Sequence, residues 1–264
     1  MKMQHNVRRI KLIVSYDGTE FAGWQRQKNA LTVQGTVEEK LRVMTSENVT
    51  LHGAGRTDAG VHALAMPAHF DTQTQIPGPA FKKGLNSLLP KSVQVLSADE
   101  VLETFHARLS ACAKMYRYVF TTAAICLPTR RCYCTHVPRL TSFDQMTECL
   151  SFLNGLHDFS SFEATGSRDI EREGGKGAVR EIYSTALHCL EEDNAEWYID
   201  ICGDGFLRKM VRNIVGTLFE VGFNRMTTED FVSVLKAKNR NMAGPTAPAC
   251  GLFLKKVYYE KPAI

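Results

Sequence analysis

The chain has 264 residues, 44% hydrophobic and 23% charged, which excludes a disordered chain, a collagen-like repeat and a disulfide-dense mini-protein. Lys plus Arg number 32 against 28 Asp plus Glu, a net charge of +4 that is too small by itself to announce a nucleic-acid protein. No stretch approaches the roughly eighteen uninterrupted apolar residues of a membrane span, and residues 1–11 carry no apolar run or cleavage site, so a cytoplasmic location is expected.

The first strand is predicted over residues 9–16, where Ile10, Leu12, Val14 and Tyr16 alternate with Lys11, Ile13 and Ser15. A helix follows over 33–44, with Val33, Val37, Leu41 and Met44 on one face and Thr32 as its N-cap. Next come a short strand at 49–52, a glycine-rich loop and a strand near His69 and Phe70. A helix at 79–89 is stopped by Pro90, and a strand occupies 93–96. The order β-α-β-β-α-β is that of a ferredoxin-like unit. The later chain reads as a strand at 114–121, a helix at 143–153, strands at 180–190 and 197–202, helices at 206–221 and 228–237, and a closing strand at 252–259. Residues 163–177, rich in glycine and mixed charge, read as a surface loop. The expected class is α/β of the α+β type. Two ferredoxin-like half-domains, 1–106 and 107–264, join into one extended, mainly antiparallel sheet with helices on one face.

Eight cysteines, without a C-x-x-C pair, read as reduced and mostly buried small hydrophobes. Alternation in a strand would set Cys132, Cys134 and His136 on one face, but a fourth metal ligand at matching spacing is missing and no metal is expected. Basic clusters stand at Arg8, Arg9 and Lys11; at Arg130 and Arg131; at Arg208, Lys209 and Arg212; and at Lys236, Lys238 and Arg240. Most read as solvated faces. Arg208 and Arg212, four apart in the predicted helix, share a face whose opposite stripe is Phe206, Met210 and Ile214.

The densest signal is Gly53-Ala54-Gly55-Arg56-Thr57-Asp58-Ala59-Gly60-Val61-His62-Ala63. Its three glycines within eight residues allow positive φ and close approach of a ligand. A dinucleotide fingerprint would need glycine where Asp58 stands, and a phosphate-binding loop would need Lys-Ser/Thr after Gly60, where Val61 stands. What remains is a tight loop presenting Arg56 and Asp58. An isolated Arg-x-Asp would be an Asx-turn with a surface ion pair; the glycine framing favours a ligand site.

This loop resembles the signature of the tRNA pseudouridine synthase A family. So do Phe21-Ala22-Gly23-Trp24-Gln25, Thr32-Val33-Gln34-Gly35, Asn86-Ser87-Leu88-Leu89-Pro90, Phe105-His106-Ala107-Arg108, Tyr116-Arg117-Tyr118, Asp158-Phe159-Ser160-Ser161-Phe162, Met210-Val211-Arg212-Asn213-Ile214-Val215-Gly216 and Ala247-Pro248-Ala249-Cys250-Gly251-Leu252. The resemblance runs nearly the whole chain in the same order. It implies isomerisation of uridine to pseudouridine at positions 38, 39 and 40 of the tRNA anticodon stem-loop, by a homodimer with an RNA-binding cleft and without metal or cofactor. It implies Asp58 as the essential carboxylate and Arg212 as the cation that keeps it ionised. Tyr116 would stack on the uracil and receive the C5 proton, although a strand tyrosine taken alone reads as core. Arg56 would guide the extruded nucleotide, Leu254 would form the apolar wall, and Arg208 and Lys209 would meet phosphates. His62 and His106 read as structural, with His62 a lesser candidate for an RNA contact.

Two departures from the family pattern stand out. Leu64-Ala65-Met66-Pro67 follows His62 in place of a Gly-Gln-Val-like run, and Pro67, lacking a ladder donor, argues for an edge strand or a later start. Lys114-Met115 replaces a more arginine-like pair. Other classes fit the residues less well. Tyr16-Asp17-Gly18-Thr19 hints at a haloacid-dehalogenase-type phosphotransferase, but the nucleophile position holds Ser15. A non-catalytic RNA-binding module would need paired aromatics on its sheet. A structural interaction protein leaves the glycine-framed loop unexplained.

Overall fold

A computed structural model describes residues 7–166, 177–191 and 195–262. Most of the expected loop at 163–177 therefore lies outside the described residues. The chain divides into two compact units, Met1–Cys112 with Phe253–Lys261, and Ala113–Leu252 with Pro262–Ile264.

The first unit runs β1 (Arg8–Tyr16), α1 (Val33–Thr45), β2 (His52–Gly53), β3 (His62–Thr72), α2 (Gly78–Leu88) and β4 (Val93–Val101), the expected β-α-β-β-α-β order. Its sheet has β1 between β4 and β3, both antiparallel to it. The closing strand β10 (Leu252–Tyr258) adds to β3 in parallel, with Phe253 opposite His62 and Leu254 opposite Ala63. The alternation read from sequence is the buried face: Ile10, Leu12 and Val14 are fully enclosed with Val33, Val37 and Leu41 of α1. Phe70 of β3 meets Phe81 of α2 edge-on at 5.3 Å. Each such side chain contributes about 1.5–3 kcal/mol by leaving water. Thr32 caps α1 by accepting from the Gly35 amide.

β3 overturns the expectation drawn from Pro67. The strand starts at His62, and Pro67 sits inside it opposite Ile13. The Pro67 carbonyl accepts from the Ala54 amide at 2.8 Å. A strand residue points its N–H and C=O to the same side, so the missing donor faces the short β2 and the ladder to β1 loses nothing.

The second unit runs β5 (Ala113–Thr121), β6 (Thr135–His136), α3 (Phe143–Ser151), β7 (Gly155–Asp158), β8 (Val179–Glu191), β9 (Glu196–Gly203), α4 (Met210–Gly222) and α5 (Thr228–Ala237). Its strand order is β5-β9-β8-β7, antiparallel throughout, with β6 alongside β5 in parallel. Phe120 packs edge-on against Phe219 of α4 at 5.2 Å, and Phe162 lies 6.0 Å from Phe231 of α5. A capping box at Thr227 and Asp230 starts α5.

Helix α4 begins at Met210, later than the predicted residue 206, because Lys209 takes a left-handed conformation with φ 61°. Arg208 therefore precedes the helix, its carbonyl accepting from the Ala164 amide at 3.0 Å, and it does not share a helical face with Arg212. Phe206 is apolar for another reason: its ring meets Tyr116 edge-on at 5.0 Å.

Candidate active site

In the first unit the Asp58 loop is held from behind by the chain that leaves β1. The Tyr16 hydroxyl lies 2.8 Å from the Thr57 hydroxyl, and both residues are buried. The Trp24 amide donates to the Thr57 carbonyl at 3.2 Å, and the Gly60 amide to the Phe21 carbonyl at 3.2 Å. The Val61 amide closes the turn on the Asp58 carbonyl at 3.2 Å. Asp58 is half-buried and Arg56 exposed. The loop's glycines differ from the expectation. Gly60 takes φ +76°, whereas Gly53 does not enter the positive-φ region. A Cβ on Gly53 would stand 2.6 Å from the Trp24 ring, so this glycine makes room for an indole rather than for a ligand.

The motif after Trp24 also has a structural task. Glu38, buried in α1, accepts from the Gln34 side chain, the Leu51 amide and Arg26, each at 2.9 Å. The Gln34 amide group also donates to the Leu51 carbonyl at 3.1 Å. This network pins the chain just ahead of the glycine-rich loop to α1 and satisfies a carboxylate that burial would otherwise disfavour.

His62 is 2% exposed, its ring stacked 4.7 Å from Phe253, and its Nδ1 accepts from the Gly18 amide at 3.0 Å. Asp17 Oδ1 accepts from the Thr19 amide at 3.0 Å, an Asx-turn that accounts for the Tyr16-Asp17-Gly18-Thr19 segment structurally. His106 Nδ1 accepts from the Arg108 and Leu109 amides. Leu254 is 1% exposed in β10.

In the second unit Tyr116 is buried on β5 opposite Ile201, against Phe206. Arg212 is half-buried, its Nε donating to the Ala247 carbonyl at 2.7 Å, while its own carbonyl accepts from the Ala247 amide at 3.0 Å. Arg208 is exposed and Lys209 half-buried. Tyr118, one turn of the pleat beyond Tyr116, gives its hydroxyl to the Pro248 carbonyl at 2.9 Å and lies 2.7 Å from the Thr135 hydroxyl. Burial pushes that phenol well above its ordinary range.

The cysteines are less enclosed than expected: Cys134, Cys149 and Cys202 are buried, Cys112 and Cys189 exposed, and the others half-buried. Burial raises the Cys134 and Cys149 thiols to about 12 and that of Cys202 to about 11. Cys134 is buried while His136 is exposed, its Nε2 lying 2.8 Å from the Ala123 carbonyl, so Cys132, Cys134 and His136 do not share a face. The reason is that β6 holds only Thr135 and His136, too short to impose alternation on the three.

A family model described as tRNA pseudouridine synthase matches residues 12–109 and 151–260. The chain belongs to the tRNA pseudouridine synthase family. Membership makes it an enzyme of the isomerase class. It is 47% identical over 253 residues to tRNA pseudouridine synthase A 1 of Desulfotalea psychrophila, covering 96% of this chain and 100% of that relative. It is 41% identical over 254 residues to tRNA pseudouridine synthase A of Thermoanaerobacter sp., with 96% and 100% covered. The Geobacillus kaustophilus enzyme of that name is 44% identical over 253 residues, with 96% and 95% covered. The family match takes in the Asp58 loop, the start of α4 and the Ala247 segment, but not the residues of β5 that carry Tyr116.

Proposed function

We propose that this isomerase converts uridine to pseudouridine at positions 38, 39 and 40 of the tRNA anticodon stem-loop, as a cytoplasmic homodimer. The observation that carries the reading is the family match over most of the chain, joined to a half-buried Asp58 in a loop fixed by buried hydrogen bonds. The reaction breaks the bond from ribose C1′ to uracil N1, turns the base and forms a bond from C1′ to C5; the C5 proton leaves and N1 gains one. No net oxidation occurs and no cofactor is called for.

Asp58 is the carboxylate that acts at the sugar or base. Stacking in a duplex blocks access to N1 and C5, so the nucleotide is extruded before chemistry, and Arg56, exposed beside Asp58, meets its phosphate. Tyr116 offers a ring to the uracil and a hydroxyl to the C5 proton. Leu254, enclosed in β10, is apolar backing rather than exposed surface, and Arg212 is the cation of the site. Arg208 and Lys209 meet backbone phosphates. The test is tritium release from tRNA carrying 5-tritiated uridine, with the product mapped by position. Release matched by pseudouridine at 38, 39 and 40 is expected. No release, or product only at other positions, overturns the reading.

A further inference from the structure

The second unit holds a pocket of about 600 Å³ whose lining includes Arg208, Lys209, Arg240, Asn213, Asn241 and Thr246, with no carboxylate among its lining residues. In sequence Arg240 stands with Lys236 and Lys238 in a cluster that reads as a solvated face. The two lysines are exposed, but Arg240 is half-buried. Its Nη1 donates to the Ala243 carbonyl at 3.2 Å, and its Nη2 to Asn213 Oδ1 at 3.2 Å and to the Thr246 hydroxyl at 3.3 Å. These acceptors are neutral and themselves fixed. Asn213 is fully buried, donating to the Phe162 carbonyl at 2.7 Å and accepting from the Thr246 hydroxyl at 2.6 Å.

The segment that closes the pocket is also held in place. A Cβ on Gly216 would stand 1.7 Å from the Pro245 carbonyl oxygen, and the Gly244 amide donates to the Thr217 hydroxyl at 2.9 Å. Arg240 thus presents a rigid guanidinium whose charge meets no carboxylate among the described residues, and burial lowers its pKa without an opposing anion. A guanidinium has five N–H donors; those at Nε and one at Nη1 meet no acceptor among the described residues. A partly desolvated cation without a counter-charge is disfavoured. A phosphate oxygen matches its charge and can accept from one of these remaining N–H groups.

We propose that this pocket binds a backbone phosphate of the RNA substrate and that Arg240 is its central cation. The inference rests on the tRNA reading above and extends it to a residue outside the Asp58 machinery.

The test measures affinity for unmodified tRNA between 50 and 200 mM KCl for the wild-type protein, Arg240→Gln and Asn241→Asp, with tritium release followed in parallel. Arg240→Gln is expected to bind about tenfold more weakly, with the log–log salt slope reduced by about 0.7–0.9, the value of one phosphate contact. Asn241→Asp places a carboxylate on the exposed lining without touching the bonds of Arg240, and is expected to weaken binding severalfold while melting like wild type. It keeps the test decisive if Arg240→Gln unfolds. Unchanged affinity and slope in the folded variants overturn the proposal. Stabilisation of the wild type by inorganic phosphate over chloride at equal ionic strength, lost in Arg240→Gln while tRNA affinity is unchanged, would assign the pocket to free phosphate and overturn the RNA assignment. Arg240-dependent tRNA binding without tritium release would sink the proposed isomerisation and leave the phosphate site standing.

Discussion

The hydroxyls of Tyr16 and Thr57 meet at 2.8 Å in the interior of the first unit, tying the last residue of β1 to the residue before Asp58. The loop is thereby tied to the sheet as well as closed by its own turn. Tyr16→Phe keeps the ring, which lies 6.0 Å from Trp24, and removes the hydroxyl that makes this bond. A buried hydroxyl deprived of its partner costs about 1–2 kcal/mol, so the urea midpoint should fall accordingly. Turnover should drop severalfold more than tRNA affinity. A variant less stable but equally active would show that this bond holds the fold and not the carboxylate.

Asp58→Asn preserves size and most hydrogen bonding but removes the charge. Turnover should fall by at least about three orders of magnitude, with tRNA binding largely kept, since the loss falls on the transition state. Tritium release under single-turnover conditions measures it. A rate within tenfold of wild type would exclude Asp58 as the essential group.

His69 gives stability a specific pH dependence. It is 2% exposed, with His106 and His52 rings 4.6 and 5.1 Å away, and its Nδ1 accepts from the Ala107 amide at 3.2 Å. Burial, reinforced by His106, Arg9 and His52 and opposed by Asp71, lowers its pKa from 6.5 to about 4. The unfolded chain therefore takes up a proton that the native ring refuses, and this contribution, complete above pH 6.5, is lost as pH falls toward 4. Urea midpoints across that window should decline less steeply for His69→Gln, which can still accept from the Ala107 amide. Equal slopes in the two proteins would refute a neutral native His69.

Where one physical signal dominated, the sequence was readable. The alternation through Ile10, Leu12 and Val14, the stripe of Val33, Val37 and Leu41, and the cap at Thr32 each recur in the structure. The start of β3 was hidden because Val61, His62, Ala63, Met66 and Ala68 are all enclosed, erasing the period of two, and because a proline's missing donor matters only on the side it faces. The start of α4 was misplaced because Phe206 falls in step with Met210 and Ile214 yet packs on Tyr116 from a loop. The glycine-framed loop was conspicuous, whereas the Tyr16–Thr57 bond joins residues 41 apart in sequence and leaves no local pattern. Arg240 was masked by its lysine neighbours, since composition does not reveal which cation of a cluster turns inward.

Arg212 offers a sharper test than charge alone. Its Nε is spent on the Ala247 carbonyl at 2.7 Å, and the backbone bond from the Ala247 amide to the Arg212 carbonyl joins α4 to the same residue. Only a guanidinium can donate from Nε and still present a charged fork beyond it; a lysine has one terminal ammonium and must give up one of the two tasks. The backbone bond survives Arg212→Lys, so melting should change little. If Arg212 is the cation of the site, kcat should fall about a hundredfold, the order expected for a misplaced catalytic group, with KM within a few-fold of wild type. Arg208→Lys, at an exposed position before the helix, should keep wild-type turnover at low salt. Measuring both variants side by side separates geometry from charge. Wild-type kcat in Arg212→Lys would remove this arginine from the catalytic machinery and leave it as the strut between α4 and Ala247.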